Sequence, residues 1–207
     1  LVLPKNKTAQ ISTTHPYAAP NIGKTVAVID LGLKHSLLRS LSLRKINSVV
    51  LPYNASIYDI INLRADAIVI SNGPSRVEEV APFLKPVFDK FYGKLPILGI
   101  GLGFLAISNY LNLELLDLIP AYNGSNFPVI EQTNNRIWQT AMNIDQLVVP
   151  DSLSLNLSRK YFDLRSELLA GYSIKKDKVL ATAFNPEGSP GNFDAASIYD
   201  QFLNMME

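Results

Sequence analysis

The sequence predicts an α/β fold: an open, mostly parallel β-sheet flanked by helices, followed by a strand-rich C-terminal half. Three observations carry that expectation. From Thr25 onward, apolar runs of four to six residues alternate with stretches whose apolar residues recur at helical spacing. Those runs are apolar throughout rather than at every second position, as expected for strands covered on both faces. After the helical pattern of 102–111 the texture changes to short strand-like runs.

The elements follow in order. Residues 1–24 are polar and carry Pro4, Pro16 and Pro20, so they read as a linker or extended arm, with the domain proper at 25–207. "TVAVID" (25–30) is a strand, and Leu37, Leu38 and Leu41 share one face of the helix after it. "SVVLPY" (48–53) is the next strand, followed by a short helix near Ile57–Leu63 and the strand "DAIVIS" (66–71). A third helix carries Leu84, Val87, Phe88 and Phe91, with its start blurred by Pro82 and Pro86. "LPILGI" (95–100) is a strand that runs into the 102–111 helix. Later strands are expected at Phe127–Glu131, Ile137–Met142, Leu147–Val149, Leu168–Ile174 and Val179–Ala183. A last helix, Asp194–Met206, has Asp194 as its N-cap and Ala195, Ile198, Phe202 and Met205 on one face.

Composition removes several functions. Of 207 residues none is cysteine and two are histidine, His15 and His35, so thiolate chemistry, disulfides and Cys-ligated zinc are absent. Both histidines read as solvated or structural. With a net charge of +1 and no basic stripe, no nucleic-acid partner is expected. The longest apolar run is broken by Pro96 and three glycines and falls short of the roughly 20 residues of a membrane span. No targeting leader is visible, so the expected location is the cytoplasm, an organelle staying open. Leu1 in place of an initiating Met reads as a trimmed chain or a fragment of something longer. The acidic residues are scattered, so neither a metal site nor a cofactor is expected.

The informative stretch is "PILGIGLGFLAI" (96–107). A strand passing into a helix through a glycine-flanked turn has the form of a nucleophile elbow, which lifts one residue above the carboxyl edge of the sheet. Gly99 and Gly103 suit such a turn because residues packed against it must be small. The dinucleotide pattern G-x-G-x-x-G fails, because Phe104 stands where its third glycine belongs. The apex itself, Gly101, has no side chain.

This stretch resembles the elbow of class I glutamine amidotransferases, and the chain is similar to the glutaminase domain of carbamoyl-phosphate synthetase small subunits. "ISTTHPY" (11–17), "DLGLKHSLLRSL" (30–41), "SNGPSR" (71–76), "NGSNFPV" (123–129), "TAMN" (140–143) and "NPEGSPGNFDA" (185–195) carry the likeness. It implies a flavodoxin-like core, an absent N-terminal domain, and a synthetase large subunit or fused synthetase domain as partner. It also implies a place in carbamoyl-phosphate supply for pyrimidine and arginine synthesis. The family's reaction is glutamine hydrolysis by a cysteine, with a histidine as base and a glutamate orienting it. On this likeness Gly101 takes the cysteine's place and Asn185 the histidine's, while Glu187 is kept.

The likeness assigns substrate-contact positions to Gly73, Ser75, Leu102, Leu105, Asn143, Asp145 and Gln146. Gly73, Leu102 and Asn143 keep their type. Ser75 replaces a glycine and is not expected to adopt positive φ, Leu105 replaces a glutamine, and "NIDQ" (143–146) replaces N-H-G-F. Three further family histidines become Phe104, Phe127 and Phe193, which read as ordinary core. Three functions stay open: a non-catalytic partner of an ammonia-using synthetase, with an apolar docking patch; a residual glutaminase using Ser71, Ser75 or Asp145; and a glutamine-sensing module.

Overall fold

The computed structural model describes residues 7–150, 157–188 and 191–207. Leu1 to Asn6, and Ser189 and Pro190 of the "NPEGSPGNFDA" stretch, lie outside the described residues. The chain order is α1 (Lys7–Ile11), β1 (Tyr17–Ala19), β2 (Thr25–Asp30), α2 (His35–Leu43), β3 (Asn47–Pro52), α3 (Ile57–Asn62), β4 (Ala67–Ile70), α4 (Val77–Phe91), β5 (Ile97–Ile100) and α5 (Leu102–Tyr110). Then come β6 (Leu115–Glu131), β7 (Arg136–Val148), β8 (Arg159–Asp163), β9 (Leu169–Ile174), β10 (Val179–Thr182), β11 (Phe184–Asn185), a 3₁₀ turn at Asp194–Ala196 and α6 (Ser197–Asn204).

The eleven strands among the described residues form one sheet in the order β1-β3-β2-β4-β5-β10-β9-β8-β6-β7-β11. Its centre is parallel, β3-β2-β4-β5-β10, and in β2, β4, β5 and β10 almost every residue is buried. Continuous apolar runs end up here because helices shield both faces. From β9 onward the pairings are antiparallel, so the C-terminal half is strand-rich, as predicted.

Several boundaries differ from the sequence reading. The strand predicted at 127–131 is the end of the 17-residue β6, and those at 137–142 and 147–149 are one strand, β7; the two form a long hairpin. Most of β6 before Phe127 is exposed or half-buried, so it lacks the apolar signal of a core strand. Pro82 and Pro86 both lie inside α4, which runs through them for 15 residues and buries Val80, Leu84, Val87 and Phe88. Asp194 does not cap a long final helix: its carboxylate accepts from the Gln139 backbone N–H across the sheet edge (3.2 Å), and the helix starts only at Ser197.

Residues 7–24, predicted as an arm, are tied to the domain. β1 pairs antiparallel with β3, and Asp30, at the carboxyl end of β2, accepts from the backbone N–H of Thr13 (2.7 Å), Gly32 (2.9 Å) and Leu33 (2.8 Å). The Thr8 N–H, one of the donors a helix start leaves unsatisfied, reaches Ser75 Oγ (3.0 Å). The arm therefore ends beside the loop that follows β4.

Candidate functional site

The strand-to-helix turn lies at the carboxyl edge of the parallel strands. Gly101 has φ 55° and ψ −110° and links β5 to α5. That conformation strains any residue with a Cβ. Its N–H donates to the Thr182 carbonyl (2.8 Å), and its carbonyl accepts from Leu105 N–H (3.1 Å) to open the helix. A Cβ at Gly103 would lie 2.3 Å from the Ile70 carbonyl oxygen, and one at Gly99 2.6 Å from that of Gly103. Helix and strand pack at a separation that only glycine permits, as the sequence predicts.

Above the turn sits a residue the sequence reading passed over. Asn72 Oδ1 accepts hydrogen bonds from Gly73 N–H (2.8 Å) and Leu102 N–H (2.9 Å). Two backbone donors converging on one oxygen beside an elbow form an oxyanion-type site. Here the side chain of Asn72 fills it. A Cβ on Gly101 would lie 2.1 Å from Asn72 Oδ1 and 2.2 Å from its Cγ, so the amide stands in the space of any side chain at the apex. The two donors fix which end of the amide is oxygen, leaving Nδ2 to face Asn185 Oδ1 at 3.4 Å.

Asn185, on β11, is 2 % exposed and neutral. An amide neither takes nor returns a proton at ordinary pH. Glu187, 3 % exposed, accepts a 2.8 Å hydrogen bond from the Tyr199 hydroxyl of α6. Burial first, then the Glu187 carboxylate, pushes the Tyr199 phenol well above its ordinary value. Ser71 is fully buried, donating to the Asn72 carbonyl (3.0 Å) and accepting from Leu31 N–H (2.9 Å). Ser75 is buried beneath Thr8 and has no positive φ. Neither hydroxyl has a base beside it.

Beside the plugged turn is a cavity of ≈ 130 Å³, lined by Asn72, Gly73, Ser75, Leu102, Leu105, Asn143 and Asp145 among others. It is small against the roughly 300–1,000 Å³ of small-molecule pockets. Six of the seven predicted contact positions thus meet at one place. Gln146 does not join them: its Nε2 donates to Asp117 Oδ1 (2.8 Å). Arg76 spans the rim, 3.6 Å from Asp145 and 3.3 Å from Asp117. Hydrogen bonds from Gln146 and then Arg76 hold the Asp117 carboxyl below the usual carboxylate range.

Of the three phenylalanines, Phe104 and Phe127 are buried, against Tyr172 and Tyr122 respectively. Phe193 is 70 % exposed, which corrects its reading as core: the 3₁₀ turn that follows it leaves it outside the packed face of α6. His15 and His35 are exposed and line no part of the cavity. Among the described residues no cluster of His, Asp and Glu could hold a metal, and no helix is long and apolar enough to cross a membrane. Asn72 and Arg76 were legible only as parts of "SNGPSR"; Tyr199 carried no signal of its own.

Known proteins share this architecture. The chain is 32 % identical over 206 residues to the carbamoyl phosphate synthase small chains of Lactococcus lactis and Streptococcus mutans, covering all of this chain and 57 % of each relative. It therefore spans little more than half the length of those relatives. A structure described as a GMP synthase subunit from Thermoplasma acidophilum superposes with a TM-score of 0.74 at 18 % identity, covering 88 % of this chain and 94 % of that one. A glutamine amidotransferase from Thermotoga maritima gives 0.57 at 15 % identity, covering 79 % and 76 %. The pattern of the family described as glutamine amidotransferase class-I matches residues 27–205, nearly the whole described domain, and the chain belongs to that family.

Proposed function

We propose that this domain has lost glutamine hydrolysis and serves as a structural or regulatory partner of a carbamoyl-phosphate synthetase subunit, or fused synthetase domain, that uses free ammonia. The observation that carries the reading is the Asn72 amide seated on the Gly73 and Leu102 N–H groups, over an apex with no side chain. Covalent hydrolysis needs a nucleophile, a base in contact with it and free oxyanion donors. At this turn the nucleophile's position is Gly101, the base's is Asn185, and the donors are engaged. Losing members of a catalytic unit is non-additive, so restoring one of the three returns little activity.

The partner is argued from the likeness to synthase small chains and from the surface next to the site. Leu116 and Ile119, 48 % and 95 % exposed, lie on β6 close in sequence to Asp117, which pairs with the Arg76 that also pairs with Asp145 of the cavity lining. Exposed apolar residues of this size beside a site suit a protein partner. The test is carbamoyl-phosphate synthesis by the full-length protein with the synthetase subunit of the same source. Synthesis from ammonium and none from glutamine is expected; synthesis from glutamine would overturn the proposal.

A further inference from the structure

We infer that Asn72 is an internal ligand of this site, a side-chain carboxamide that occupies the carboxamide position and keeps free glutamine out. The inference rests on the proposed loss of hydrolysis but goes beyond it, since an inert site need not be a closed one. Both lone pairs of Asn72 Oδ1 are engaged, by Gly73 N–H at 2.8 Å and Leu102 N–H at 2.9 Å, both ordinary hydrogen-bond lengths. Its NH₂ faces a carbonyl oxygen, that of Asn185, at 3.4 Å. This meets three of the four hydrogen-bonding sites of a primary carboxamide: two donors on the oxygen and one acceptor for its two N–H groups.

Two features make the arrangement stable in this chain. Gly101 carries no Cβ, and one would lie 2.1 Å from Asn72 Oδ1, so the amide fits only because the apex is glycine. Asn185 supplies a neutral acceptor that needs no proton to receive Nδ2–H. The substitutions at 101 and 185 are thus the two that admit the Asn72 amide. A free carboxamide has to displace a tethered one that is already in place and has lost little entropy in getting there. The remaining ≈ 130 Å³ beside it is lined by Gly73, Leu102, Leu105, Asn143 and Asp145 together with Asn72, whose Oδ1 already engages both donors.

The experiment is calorimetric titration of the folded full chain and of its Asn72→Ala and Asn72→Ser variants with L-glutamine, with L-glutamate as the carboxylate comparison. Backbone amide exchange at Gly73 and Leu102 is followed in parallel. The expected result is that either variant binds glutamine at least about tenfold more tightly than the parent, equivalent to 1.4 kcal/mol. The Leu102 amide should exchange slowly in the ligand-free parent and faster in the variants. Equal glutamine affinity in parent and variants, or no glutamine binding by any of them, overturns the inference. Should both variants fail to fold, the parent decides: Gly73 and Leu102 amide signals unmoved by millimolar glutamine uphold it, and shifted signals refute it. Hydrolysis is scored separately, so a parent that binds glutamine as tightly as the variants without cleaving it defeats this inference and leaves the loss of hydrolysis standing.

Discussion

The Tyr199 hydroxyl donates a 2.8 Å hydrogen bond to Glu187, and both groups are buried. Glu187, which the sequence likeness sets at the family's orienting glutamate, thus has a partner on α6. A buried carboxylate that loses a donor bears the desolvation cost of the unmet bond, about 1–3 kcal/mol. Tyr199→Phe, which leaves the ring and removes the hydroxyl, is expected to destabilise the fold by that amount in urea titration. A change below about 0.5 kcal/mol, the range of neutral surface substitutions, would mean the contact is incidental.

Three phenols predict how stability responds to alkali. Burial is the first cause that raises Tyr92, Tyr172 and Tyr199 above the ordinary value of 10.0, with Asp177 adding to it at Tyr92 and Glu187 at Tyr199. The folded state keeps these protons where the unfolded chain has released them. Their contribution is therefore fully present below pH 10 and is lost as pH rises towards the folded values, by up to about 1.4 kcal/mol per pH unit for each of the buried Tyr172 and Tyr199, and by less for the solvent-screened Tyr92. Tyr172→Phe leaves Ser108 bonded to the Phe104 carbonyl and should flatten that decline. Denaturant titrations on either side of pH 10 read the slope; an unchanged slope in Tyr172→Phe would contradict the assignment.

Gly101 and Asn72 should be thermodynamically coupled. Gly101→Ala introduces a Cβ at φ 55° and drives it into the Asn72 amide, for an expected loss of about 1–3 kcal/mol. In an Asn72→Ala background only the backbone strain remains, so the same change should cost less. A double-mutant cycle is expected to show a coupling of at least about 0.5 kcal/mol. Strict additivity would place Asn72 elsewhere than over the apex.

The central strands were legible because residues such as Val26–Ile29 and Ile68–Ile70 are buried on both faces and form uninterrupted apolar runs. The hairpin of β6 and β7 was read only in pieces. Its first strand is mostly exposed and carries Pro120 and Gly124, which punctuate sequence without ending this strand. β8 lies among charged residues, and α1 and β1 are too short for a period to show. Six of the seven positions that the likeness marks line one cavity, and family motifs that keep their order in the chain pointed to them. Asn72 was not marked, because its placement depends on the missing side chain at 101 and the amide at 185, and no periodicity records such a relationship.

Ser75 entered the sequence reading as a serine in the place of a family glycine, and the fold gives it a partner. Its hydroxyl accepts the Thr8 N–H, joining α1 to the loop that carries Gly73. Ser75→Ala leaves that buried N–H unsatisfied, at about 1–3 kcal/mol. Faster hydrogen exchange at residues 7–12 than in the parent is expected, with exchange in β4 and β5 unchanged. Equal exchange at 7–12 would show that the arm is held by its other contacts alone.

The central proposal is that this elbow does not hydrolyse glutamine, and the most direct measurement is glutamate formation from L-glutamine by the purified full-length protein, alone and with the proposed synthetase partner. The account predicts no formation above the heat-denatured control in either case. Steady turnover that disappears on denaturation would contradict it, and would require a nucleophile other than the residue at 101.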